Sequence, residues 1–187
     1  DLIRSACARY PESIACEIQR EGPWSSLTYA QLLERIETCS GRWQMLGLAP
    51  GDRVVIVGDS GPQWVVTYMA VSFLGGTAVP LDPQTPADEV ARILTYTSAA
   101  GLIAPADHLD RVCAAGSWKG LCIDWSTGES RTEGAAGLAP YREPDINSQM
   151  AASIIFTSGA RVDPRGVILT HGNFVSDLLG LSEVQRL

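Results

Sequence analysis

The run Val54-Val55-Ile56-Val57 constrains the fold more than any other feature. Four consecutive β-branched apolar residues leave no wet side on a strand, so Arg53–Val57 reads as a central strand covered on both faces. In a parallel sheet that cover comes from crossover helices, and helical patterns flank the run. Upstream, Thr28 is a good N-cap for a helix over Tyr29–Leu46. There Leu32, Leu33, Ile36, Cys39, Trp43 and Leu46 recur at steps of three and four, and Gly47 ends the pattern. Downstream, Pro62 suits the first turn of a helix that runs to about Leu74 and breaks at Gly75-Gly76. Thr77–Leu81 is a second short buried strand. Pro86 opens a helix with Asp88 and Glu89 in its first turn and Val90, Ile93 and Leu94 on its apolar face. Gly101–Ala104 and Leu121–Ile123 read as further strands, with a weaker helix around His108–Ala115. This alternation predicts an α/β fold, a largely parallel sheet with crossover helices.

The ends of the chain differ in character. A helix over the first ten residues stops at Pro11, and Ser13–Gln19 pairs as a hairpin with Trp24–Leu27 across Glu21-Gly22-Pro23. From Ser126 to Asn147, Gly, Ser, Thr, Glu and Pro dominate and periodicity is lost. Strand character resumes at Ala151–Thr157, breaks over Ser158–Arg165, and returns at Gly166–Leu169. Asn173–Leu187 then reads as a helix. The expected organisation is an α/β subdomain over 1–125, a flexible linker or loop over 126–147, and a hairpin with the start of a helix over 148–187, in the same domain.

A net charge of -7 argues against a nucleic-acid or anionic-membrane partner, because a polyphosphate surface would repel the average face of the molecule. No apolar run approaches the roughly 18 residues of a membrane span, and no signal-peptide pattern opens the chain. The cysteines Cys7, Cys16, Cys39, Cys113 and Cys122 are odd in number, and no pair has the two-residue spacing of a zinc or redox motif. They suit free thiols in a reducing cytoplasm. With only His108 and His171 available, no dedicated protein metal site is expected.

Two segments can carry chemistry. Val57-Gly58-Asp59-Ser60-Gly61-Pro62 places a serine between a buried strand and a helix. A nucleophilic Ser60 would need a histidine base held by a carboxylate, and the Asp-x-x-His quartet of small lipase-like hydrolases is missing. As a nucleotide-binding glycine turn the segment lacks its third glycine. The simpler reading is a strand-to-helix turn with Ser60 or Asp59 as N-cap. The second segment, Ile154 to Asn173, is a small-residue loop with hydroxyls and cations between two apolar strands. Its amides and hydroxyls can bind phosphate oxygens, and an arginine adds charge-assisted bonds. A plain hairpin with a polar loop would look much the same.

Thr157-Ser158-Gly159-Ala160-Arg161-Val162-Asp163-Pro164-Arg165-Gly166-Val167, followed by Leu169-Thr170-His171-Gly172-Asn173, resembles the signature loop of the adenylate-forming (AMP-binding) superfamily. In that superfamily the pattern is Thr-Ser-Gly-Thr-Thr-Gly-x-Pro-Lys-Gly-Val, then Leu-Thr-His-x-Asn. Three upstream blocks occur in the family's order: Leu27-Thr28-Tyr29-Ala30-Gln31-Leu32, Leu46–Val54 with Pro50-Gly51-Asp52-Arg53, and Gly75–Pro83 with Val79-Pro80-Leu81-Asp82-Pro83. In appearance the chain is most similar to the N-terminal part of bacterial long-chain fatty-acid-CoA ligases.

The resemblance implies an ATP-dependent acid-thiol ligase, an acyl-CoA synthetase. Such an enzyme converts a carboxylate, here expected to be a fatty acid, to acyl-AMP with the help of magnesium, then passes the acyl group to coenzyme A. It implies that Thr157, Ser158, Gly159, Arg165 and Gly166 hold phosphate, and that His171 borders the acyl pocket. Residues for adenine, ribose and the catalytic lysine are expected beyond Leu187, so the fragment alone is expected to be inactive and prone to self-association. Ala160, Arg161 and Val162 stand where the family has two hydroxyl residues and a glycine. Each lost hydroxyl removes about 1.5–3 kcal/mol of bonding to a charged oxygen, and valine is stiff where a glycine is free. Two alternatives follow: a non-catalytic relative that serves as a binding or interaction module, and an amino-acid adenylation domain of a nonribosomal peptide synthetase.

Overall fold

The structure is a computed structural model that describes residues 2–19, 24–114, 118–132, 143–156 and 165–185. Helix α1 (Leu2–Arg9) precedes the hairpin β1 (Ile14–Gln19) and β2 (Trp24–Thr28). Then follow α2 (Tyr29–Met45), β3 (Arg53–Val57), α3 (Pro62–Phe73), β4 (Thr77–Leu81), α4 (Ala87–Tyr96), β5 (Gly101–Ala104), α5 (Ala106–Ala114) and β6 (Leu121–Asp124). The chain closes with β7 (Ala151–Phe156), β8 (Gly166–Thr170) and α6 (His171–Gln185).

β3 is central, as its sequence demands. Six strands lie in the order β6-β5-β3-β4-β7-β8, parallel throughout except for the last pair. The alternation of side chains divides the core into two layers. Val54 and Ile56 point to the face covered by α2 and α3, where Ile36, Trp43, Val66 and Leu74 are buried. Val55 and Val57 point to the other face, against Val90, Leu94, Leu109 and Val112 of α4 and α5. Both faces of β3 are therefore dry. Truncating a fully buried side chain here, Ile56 for instance, costs about 2–5 kcal/mol.

Local signals set most of the boundaries. Thr28 caps α2 through a reciprocal capping box: its hydroxyl accepts from the Gln31 amide, and the Gln31 side chain accepts from the Thr28 amide. Gly47 follows α2 with φ of 106°, a conformation in which glycine carries no Cβ penalty. The N-cap of α3 is Gly61, with no side-chain cap bond, so the cap expected from Ser60 or Asp59 is not the one used. Pro62 fills the first helical position, where its missing N–H costs nothing.

The stretch after β6 turns back along that strand. Ser130 bridges Ile123, the Thr132 hydroxyl accepts from the Cys122 amide at 2.8 Å, and Arg131 reaches Asp110 at 2.5 Å. On its return the chain meets the opposite end of the sheet. Pro144 packs on Gly75, where φ of 80° would strain any other residue and a Cβ would meet Pro144 at a tight 3.1 Å. Glu143 pairs with Arg4 at 3.3 Å. β7 then joins the sheet beside β4 through one register pair, Ala78 with Ser153. Two hydroxyls reinforce that seam: Ser153 Oγ donates to the Ala78 carbonyl at 3.0 Å, and Thr77 Oγ1 to that of Ala151 at 3.1 Å.

Candidate functional site

The C-terminal hairpin carries the candidate site. β7 ends at Phe156 and β8 starts at Gly166, and these two residues are register partners. The segment from Thr157 to Pro164 lies between them, so Thr157, Ser158 and Gly159, with the altered Ala160-Arg161-Val162, fall outside the described residues. Arg165 is exposed at the foot of β8. A Cβ on Gly166 would fall 2.6 Å from Ile154 Cγ2 and 3.3 Å from Phe156 Cζ, so the position is glycine for lack of space.

α6 begins at His171, two residues earlier than its sequence suggests. Thr170 and Asn173 form a reciprocal cap: the Asn173 amide donates to Thr170 Oγ1 at 3.2 Å, and the Thr170 amide donates to Asn173 Oδ1 at 2.8 Å. The other first-turn amides are also taken. His171 N–H donates to the Met150 carbonyl at 3.0 Å and Gly172 N–H to that of Ser148 at 2.8 Å. A helix start so fully bonded is anchored to the 148–150 turn, leaving these amides no bond to offer a passing anion. The signal for it was present in Thr170-His171-Gly172-Asn173, which spaces two capping side chains three residues apart.

His171 is half-buried. Its Nε2 is out of reach of water and has no hydrogen-bond partner among the described residues. Burial pushes its pKa below the ordinary histidine value, which keeps the ring neutral and able to donate or accept one bond. An orphaned buried nitrogen one residue beyond a β-strand suits a site completed by another group. On α3, the Tyr68 phenol is pushed up by burial against the pull of its hydrogen bond with Ser153, and its ring stacks on Trp64 with centroids 5.1 Å apart.

The Gly58 turn has a different occupant from the one a nucleotide motif would imply. The indole of Trp125 lies on Gly58, and the Trp125 carbonyl accepts from Gln63 Nε2 at 2.8 Å. The close backbone approach that calls for a glycine is made by a side chain of the same chain. His108 ties α5 to the loop after β4. Its Nε2 donates to the Pro83 carbonyl at 2.8 Å, with Nδ1 3.3 Å from Asp107 Oδ1. Cys7, Cys16 and Cys39 are free thiols, and burial raises the pKa of all three. No helix among the described residues is long and apolar enough to cross a membrane.

The family model "AMP-binding enzyme" matches residues 3–187. The chain belongs to the AMP-binding enzyme family. Nonribosomal peptide synthetase 8 of Aspergillus fumigatus is 29% identical to it over 100% of this chain and 2% of its own length. Feruloyl-CoA synthase of an Amycolatopsis species is 28% identical over 80% of this chain and 29% of its own length. Among solved structures, a fatty acyl-adenylate ligase from L. pneumophila superposes with a TM-score of 0.79 at 24% identity, covering 98% of this chain and 32% of that one. The α/β fold is thus that of adenylate-forming enzymes, and the chain spans less than a third of each of these relatives. Of the residues expected at the phosphate loop and acyl pocket, the structure describes Arg165, which is exposed, Gly166, and His171, whose Nε2 is buried and without a partner among the described residues. One side chain suits phosphate and the other a neutral partner.

Proposed function

We propose that the chain is the N-terminal part of an ATP-dependent ligase that activates a carboxylic acid as its acyl-adenylate. The observation that carries this reading is the family match over residues 3–187, which includes the hairpin whose loop bears the signature sequence. In the reaction a carboxylate oxygen attacks the α-phosphorus of ATP, the bond to the bridging oxygen breaks, and pyrophosphate leaves. Thr157, Ser158, Gly159 and Gly166 would bind phosphate oxygens through amides and hydroxyls, and Arg165 through charge-assisted bonds. Magnesium would neutralise the triphosphate. His171, kept neutral by burial, would border the acyl group.

The finer reading is a fatty acid as substrate, coenzyme A as acyl acceptor and the cytoplasm as compartment, with the isolated fragment inactive. The fold shared with a fatty acyl-adenylate ligase supports the acid, and the free thiols support a reducing compartment. A second reading, an amino-acid adenylation domain, is favoured by the match to a nonribosomal peptide synthetase along the whole chain. The substitutions Ala160, Arg161 and Val162 favour a third, a relative with weakened or lost turnover. ATP–pyrophosphate exchange by the full-length protein, run with fatty, aryl and amino acids in turn, separates these readings. We expect weak exchange with a fatty acid that rises when Ala160→Thr, Arg161→Thr and Val162→Gly are combined. Exchange with amino acids alone supports the second reading. Absence of exchange even in the triple variant would overturn carboxylate activation.

A further inference from the structure

β3 and β5 lie side by side, and the chain leaves their carboxyl ends in opposite directions. From β3 it crosses through α3 to β4; from β5 it crosses through α5 to β6, on the far side. Such a reversal opens a crevice outside the strand ends, the place where open parallel sheets take their ligands. Trp125 closes it on the face of α2 and α3 by lying on Gly58. On the face of α4 and α5 a cavity of about 260 Å³ remains, its open mouth included.

The buried lining of this cavity is apolar and comes from Val57 and Ala104, the last residues of β3 and β5, with Leu102 and Val112. The less buried lining is polar. His108 already commits Nε2 to the Pro83 carbonyl at 2.8 Å. Arg111 donates from Nε to the Asp107 carbonyl and from Nη2 to the Asp107 carboxylate, both at 3.2 Å. Its Nη1 and the hydroxyl of half-buried Thr85 make no bond among the described residues. A guanidinium edge and a hydroxyl thus stand beside an apolar wall. Asp107, with Asp88 and Glu89 in the first turn of α4, disfavours a dianion here. A single charge on a planar group suits the arginine best.

We propose that this cavity binds a small monocarboxylic acid, its carboxylate on Arg111 and Thr85 and its short aliphatic end against Val57, Leu102 and Ala104. A volume below the roughly 300 Å³ of ordinary ligand pockets limits the tail to a few carbons and excludes a nucleotide or a fatty chain. β4 separates these strands from β7, so the site needs no residue of the signature loop.

Saturation-transfer NMR on this chain with butyrate as the probe tests it. The parent is expected to bind with a dissociation constant of the order of a few millimolar, and phosphate not to compete. Arg111→Gln, an exposed change, is expected to weaken butyrate roughly three- to tenfold at an unchanged melting temperature. Ala87→Leu, which adds bulk to the cavity lining, is expected to abolish binding. No binding by the parent up to about 50 mM overturns the site. Unchanged binding in Arg111→Gln overturns the carboxylate contact, whether or not Ala87→Leu folds. Unchanged binding in Ala87→Leu places the acid outside the cavity and overturns it too. Phosphate that displaces butyrate overturns the preference for a single charge. None of these failures touches the reading of the chain as part of a carboxylate-activating ligase, which ATP–pyrophosphate exchange tests separately.

Discussion

The indole of Trp125 lies so close to Gly58 that a methyl group on the glycine would fall 2.1 Å from the indole Cζ3. The contact joins the end of β3 to the turn that follows β6, across the carboxyl end of the sheet. Gly58→Ala must displace the ring and should destabilise the fold by about 1–3 kcal/mol, the usual range for overpacking. Denaturant unfolding followed by tryptophan fluorescence measures it. In the Trp125→Ala background the same change should cost much less, since the clashing ring is gone. Equal costs in both backgrounds would show that Trp125 is not the obstacle.

Ser98 sits at φ of 48° without being glycine. A Cβ in that region carries strain of roughly 1–2 kcal/mol. Ser98→Gly should therefore raise stability by about 1 kcal/mol, less whatever flexibility glycine adds to the unfolded chain. A thermal melt that shows no gain would mean the serine side chain offsets its own strain.

The depressed pKa of His171 makes stability depend on pH. The unfolded histidine binds its proton near the ordinary value of about 6.5, and the folded one only at lower pH. Between the two the unfolded state holds more protons, so stability is full above about pH 6.5 and falls as the solution is acidified. His171→Gln should flatten the melting temperature between about pH 7 and pH 5. A slope that survives the substitution assigns the dependence to other groups.

Apolar side chains crowd the outer hairpin and α6: Val167 is 51% exposed, Ile168 61%, Leu178 55% and Leu179 55%. Among the described residues β8 is also the edge strand of the sheet, paired on one side to β7. Free in solution, this chain should associate with itself through that face. Light scattering is expected to show dimers or larger species, and Ile168→Glu with Leu178→Glu to return the monomer. A parent chain that stays monomeric at high concentration contradicts the expectation.

What could be read from the sequence, and what could not, follows from the range of each signal. β3 and β4 are bounded by residues whose meaning is local, and the structure places both where the apolar runs lie. The Thr28 cap is equally local, since both partners lie within four residues. The strand order is not local. β7 reaches β4 through a single register pair and two hydroxyls, which no periodicity announces. Trp125 is one aromatic beside a serine- and threonine-rich stretch, and only the fold shows that it covers Gly58. Arg165 and His171 stood out only because their segments resemble a family pattern. Arg111 did not, because the cavity it lines gathers Val57, Thr85 and Leu102 from separate parts of the chain.

β7 and β8 are the only antiparallel neighbours in the described six-stranded sheet, and that topology separates inheritance from chemistry. A crossover loop in the parallel part must deliver the chain to a helix, so its residues answer to the fold. A hairpin loop must only return to its own neighbour, and here Phe156 and Gly166 secure that return. The return is secured by the hairpin's own ends, so the architecture up to Phe156 and from Gly166 can be inherited whether or not the chemistry is.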